Sequence, residues 1–162
     1  MIGDITVLRE GQFGGVGARK FAVAASSTLI YPGEPVAKAL GVSGSVVTPA
    51  VTSSPQVGTH YFAGIATSTS TNTASANGVV YVMPLDPSVT FLIAPKTAAS
   101  WDTQSEYDAL VGARVLLDLT SSTYTILASD SSGNGCVIEP LDISKYPGKV
   151  AFSFRGAVRY NA

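Results

Sequence analysis

The chain has 162 residues, of which 46% are hydrophobic and only 13% are charged, with a formal net charge of −1. Average soluble domains carry about 25% charged residues. This balance gives no general electrostatic grip on nucleic acid, and no stretch has the ~20 mostly apolar residues of a membrane span. The segment at the start lacks the basic, long-apolar pattern of a secretory signal, and one cysteine, Cys136, cannot form an internal disulfide. These features predict synthesis in a reducing cytoplasm.

Residues 1–20 contain four glycines between Gly11 and Gly17. Glycine loses the most backbone entropy on ordering, so the segment is expected to be a flexible, extended N-terminal arm that a partner orders. Residues 21–162 are expected to form one β-rich domain, with 100–162 either an added lobe or extra strands. Short apolar, β-rich runs recur at 21–25, 28–31, 35–40, 45–51, 61–66, 79–83, 90–94, 114–119, 124–128, 136–139 and 150–155. Most have the common strand length of about 5–6 residues. Turn signals punctuate them, including Pro32-Gly33, Asn77-Gly78, Asp86-Pro87, Asn134-Gly135 and Pro147-Gly148. The pattern predicts an all-β fold, with a barrel-like or sandwich core.

Two stretches depart from it. Residues 67–77 are almost all Thr, Ser, Ala and Asn and read as a polar loop, with an edge strand as the alternative. Residues 101–112 read as one short helix near 103–111, capped by Thr103 or Ser105 and ended by Gly112. Trp101, Tyr107 or Leu110, and Val111 are expected on its buried side.

Charge is unevenly placed. Residues 39–85 contain no Asp, Glu, Lys or Arg, whereas 86–142 are mainly acidic and 143–162 purely basic. Free surfaces normally carry mixed charges. The uncharged run therefore reads either as a surface that expects to be covered or as a hydroxyl-rich β-surface, since Ser and Thr supply 34 residues. The acidic and basic regions invite pairing within a subunit or between copies.

Every catalytic constellation lacks parts. His60 is the only histidine, so a nucleophile–histidine apparatus would have to use it; its place at the lip of an apolar strand favours a structural imidazole. Ser43 lacks the following glycine of a nucleophile elbow, because Ser45 stands there. One Cys and one His cannot build a zinc site. The stretch from Asp130 to Gly135 resembles a calcium loop but has Ser132 where Asp or Asn is needed and Leu141 where Glu is needed, so it reads as a turn. Gly15-Val16-Gly17 lacks the third glycine of a dinucleotide fingerprint. Asp102 and Glu106 are four apart, which would place two carboxylates on one helix face; acids that stabilise the helix start are the simpler account. No catalytic, metal-binding or cofactor-binding residue is assigned.

Three segments carry a resemblance. Pro32-Gly33-Glu34-Pro35-Val36, then Tyr61-Phe62-Ala63-Gly64-Ile65-Ala66, then Asn77-Gly78-Val79-Val80-Tyr81-Val82 resemble, in order and spacing, the capsid decoration (cement, or head-stabilising) proteins of tailed bacteriophages. The match spans roughly residues 20–95 of the sequence. It implies a barrel-like, β-tulip type of fold, homotrimers at local three-fold axes on the outside of an icosahedral head, and the major capsid protein as partner. It implies a virion location after synthesis in the host cytoplasm, with no enzymatic activity and no cofactor. It also implies a capsid-binding arm that adds a strand to its partner; Ile5, Val7, Phe13, Arg19 and Phe21 are the residues expected to serve it. The alternatives are another virion component, such as a head-fibre base, a tail-tube protein or a minor adhesin, and more remotely a β-barrel hydrolase using Asp102 and Glu106.

Overall fold

A computed structural model describes residues 5–9, 17–39, 48–49, 60–84, 86–97, 101–120, 123–127 and 136–154. These residues form a mostly β fold with one short helix and two sheets, one of which curls into a half-barrel. In chain order the strands are β1 (Thr6–Arg9), β2 (Arg19–Val23), β3 (Pro35–Ala39), β4 (Thr48–Pro49), β5 (His60–Ala66), β6 (Gly78–Pro84) and β7 (Thr90–Ile93). After helix α1 (Gln104–Leu110) come β8 (Arg114–Thr120), β9 (Thr123–Leu127), β10 (Cys136–Ile138) and β11 (Val150–Phe154).

The six-stranded sheet has the order β1-β7-β11-β10-β8-β9. Its strand pairs are antiparallel. Past the end of β7, the Ile126 N–H donates to the Ala94 carbonyl (3.1 Å) and the Lys96 N–H to the Ile126 carbonyl (2.9 Å). The last strand in the order thus bonds back to the second, and the sheet curls around its own core. Register explains what fills that core: Phe152 stands opposite Phe91 and Ile138, and Cys136 opposite Phe154 and Val115. Directly opposed residues share a face of the sheet, so all these side chains converge. The rings of Phe91, Phe152 and Phe154 pack with centroids 5.3–5.6 Å apart.

The second sheet has the order β2-β6-β5-β3-β4, again antiparallel. Val80 and Val82 of β6 alternate with exposed Tyr81, and with Val23, Ile30, Val36, Ala63 and Ala66 they form a second, smaller core. Ile65 and Met83, directly paired across β5 and β6, belong instead to the first core. That pair joins the two sheets.

Run 28–31 is not a strand. Ile30 alone is buried there, while Leu29 and Tyr31 are exposed. The polar loop takes the backbone of Ile30: its N–H donates to Ser70 Oγ (3.0 Å) and its carbonyl accepts from the Ser70 N–H (2.8 Å). Residues 67–77 are indeed a loop, but one laid along β6. The Thr67 N–H reaches the Tyr81 carbonyl, Ser68 Oγ accepts from the Tyr81 N–H, and Thr71 Oγ1 accepts from the Val79 N–H. Short hydroxyl side chains therefore occupy places that a strand's backbone would fill.

Candidate interaction surface

The segment expected to be an arm is divided between the sheets where it is described. Thr6–Arg9 pairs antiparallel with β7, placing Thr6 opposite Leu92 and Val7 opposite Phe91. Val7 is partly buried against the half-barrel core, and Ile5, only 5% exposed, lies in it. The residues alternate apolar and polar from Ile5 to Val7, the ordinary period of a half-buried strand, and the glycines that follow do not prevent this pairing. Arg19 and Phe21 lie on β2, an outer strand of its sheet, Arg19 exposed and Phe21 half-buried on the smaller core. Phe13 lies outside the described residues.

The three segments of the resemblance come together. The Gly33 N–H donates to the Ala66 carbonyl and the Ala66 N–H to the Glu34 carbonyl, both at 2.8 Å. Pro35 then opposes Ile65, Ile65 opposes Met83, and Ala66 opposes Val82. The Glu34 N–H closes a turn onto the Tyr31 carbonyl (3.1 Å), with Pro32 and then Gly33 at φ +83° in its centre, the residues a type II turn requires. Glu34 is 1% exposed and accepts the Tyr31 N–H through Oε2. Burial holds its carboxyl above the usual carboxylate range, opposed by that hydrogen bond. Gly64 sits at φ +147°, beside the register shift of β3 against β5, and a Cβ there would lie 2.0 Å from the Met83 carbonyl oxygen.

The two carboxylates of the remote hydrolase alternative, Asp102 and Glu106, are not brought onto one helix face. The helix starts at Gln104, so Asp102 precedes the Thr103 cap and shares no helix face with Glu106. Glu106 closes a capping box: its Oε2 accepts from the Thr103 N–H (3.1 Å) while Thr103 Oγ1 accepts from the Glu106 N–H (3.3 Å). Val111, expected on the buried side, is exposed, whereas Trp101 and Tyr107 are buried with ring centroids 5.8 Å apart. Asp142 accepts from the Ser144 hydroxyl and pairs with Lys145 (3.4 Å), which together hold its carboxyl below the usual range. Cys136 is fully buried, and the turn residues Asn134 and Gly135, like the Ser43 and Asp130 positions, lie outside the described residues. Among the described residues no group of three or more His, Cys, Asp and Glu is placed to hold a metal ion, and no helix is long and apolar enough to cross a membrane.

Tyr107 has a role that residue type alone does not reveal. Its hydroxyl accepts the Ala151 N–H (2.9 Å) and donates to the Glu139 carbonyl (2.8 Å), while the Glu139 N–H donates directly to the Ala151 carbonyl (2.9 Å). The phenol thus stands where β10 and β11 diverge and replaces one bond of their ladder. Desolvation pushes its pKa up to about 12.

The chemistry on offer is that of strand edges and uncharged surface. β2 and β4 bound the second sheet, and β4 carries Pro49, a residue that removes a backbone donor and blunts an edge. No family model, curated protein or solved structure matches the chain.

Proposed function

We propose that this chain is a structural virion protein that binds the outside of an icosahedral phage capsid, as trimers at local three-fold axes, and stabilises the expanded head. The major capsid protein is its partner, and it works without catalytic group or cofactor. The observation that carries the reading is the meeting of the three resembling segments on neighbouring strands β3, β5 and β6, where the spacing of the segments corresponds to direct backbone pairing. Occupancy of many equivalent lattice positions would supply avidity from modest contacts. A charge-poor surface suits such contacts, because the cores of protein interfaces are depleted in charge.

Electron microscopy of purified particles tests the reading. Density for this chain at every local three-fold position is expected; a chain absent from the particles overturns it.

A further inference from the structure

We propose that β1 is an exchangeable strand, and that the edge of β7 it occupies is a strand-binding site for β1 of a second copy of this chain. This deepens the proposed self-association and rests on that part of the reading, not on the capsid.

The site is defined by what fills it. β7 offers Phe91 and Leu92 opposite Val7 and Thr6, and the core beneath takes Ile5 to 5% exposure. Its specificity is for an extended segment with apolar side chains two residues apart, here Ile5 and Val7, around an outward polar residue, here Thr6. Backbone pairing with alternating side-chain seats is the general mode of strand addition. An identical β1 from another copy meets every requirement, so exchange forfeits no contact once complete.

Three features favour exchange over permanent closure. The home ladder is short: three residue pairs with a register shift between Val7 and Arg9. β1 and β2 belong to different sheets, so departure of β1 breaks no pairing in the second sheet. The connection, residues 10–18, carries four glycines, and nine residues can span at most roughly 30 Å. An empty seat, by contrast, is costly, because it returns the buried Ile5 side chain to water. The edge is therefore filled either from within or by a neighbour.

Cross-linking between copies tests the proposal in the full-length chain. In a Cys136→Ala background, Thr6→Cys and Leu92→Cys are made in separate, differently tagged copies. These are refolded together and oxidised. The two positions are direct cross-strand partners, within the range a disulfide can bridge. We expect a disulfide joining the two tags on non-reducing gels and by intact mass. The proposal is overturned if the copies stay unlinked while the double variant, with both cysteines in one chain, closes only within a monomer. It is equally overturned if neither arrangement cross-links.

Light scattering separates this from the broader reading. Oligomers that persist without any bond between copies overturn exchange and leave the virion role standing. Absence from particles overturns the role and leaves a cross-copy disulfide intact. As a second variant, Ile5→Asp places a charge in the seat and is expected to shift oligomers toward monomer with the β-sheet circular dichroism retained; an unchanged oligomer overturns exchange.

Discussion

Gly78 and Gly112 are both held by the backbone, for different reasons. A Cβ on Gly78 would lie 2.0 Å from the Asn72 nitrogen and 2.4 Å from the Thr71 carbonyl carbon, so the polar loop itself occupies that space. Gly112 follows α1 at φ +83° with nothing within 4 Å of a Cβ. Gly78→Ala is therefore expected to cost about 1–3 kcal/mol or more through overpacking, and Gly112→Ala only about 1–2 kcal/mol of left-handed strain. Urea midpoints should rank the two in that order. Tyr107 adds a pH signature. Its phenol holds its proton more tightly folded, with a pKa of about 12, than unfolded, with a pKa of about 10. The resulting stabilisation is complete below pH ~10 and is lost as pH rises toward ~12, by about 2–3 kcal/mol. Tyr107→Phe strands the buried Ala151 N–H at a cost of about 1–3 kcal/mol. It should also remove the alkaline slope, which denaturant midpoints measured from pH 9 to 12 would show.

At the scale of elements, local chemistry is what the sequence makes legible. The Thr103 cap, Glu106 three residues on and Gly112 after the end locate α1 within a residue or two of its span, because helix ends are set by neighbours in sequence. Thr103→Ala should lower stability by about 1 kcal/mol, seen as a lower thermal midpoint. Tyr31-Pro32-Gly33 and Tyr146-Pro147-Gly148 are the same turn twice, each closed by an N–H to the tyrosine carbonyl and each leading into a strand. Elements whose partners are distant are less legible. Run 28–31 has strand-like residues, yet the backbone bonds of its buried Ile30 go to Ser70, 40 positions away. Strand β1 is hidden by the glycines after it, although Ile5 and Val7 carry the period. The resembling segments are readable as strands, but their adjacency is not, since pairing depends on contacts far apart in the chain. Ser70 shows how much such a contact carries. Its Oγ accepts from Ile30 and donates to Asn72 Oδ1 (2.7 Å), all buried. Ser70→Ala should cost about 1–3 kcal/mol, with faster amide exchange at Ile30.

For the whole molecule, the part of the uncharged run between 67 and 77 has a structural cause beyond any partner. Between 67 and 77, hydroxyls and amides must be short enough to reach adjacent backbone: Asn72 Nδ2 donates to the Ser27 carbonyl and Asn77 Oδ1 accepts from the Ala25 N–H. Long charged side chains at those positions would forfeit the bonds. Among the described residues, the second sheet has a core of seven buried residues, fewer than the half-barrel core holds. Its anchorage is the Ile65–Met83 pair, 1% and 3% exposed within the half-barrel core. Emptying either place creates a cavity shared by both sheets. Ile65→Ala and Met83→Ala are each expected to lose about 2–5 kcal/mol. Because the two side chains are in direct cross-strand register, the double variant should fall short of the sum of the singles. The decisive reading is the shape of the transition. If the pair couples the sheets, wild type unfolds in one step, and the same midpoint is reported by near-ultraviolet signals from Trp101 in the half-barrel and by amide exchange at Val80 and Val82 in the second sheet. In the double variant the second sheet should lose protection first. Coincident transitions in wild type and double variant alike would mean that the sheets are coupled elsewhere.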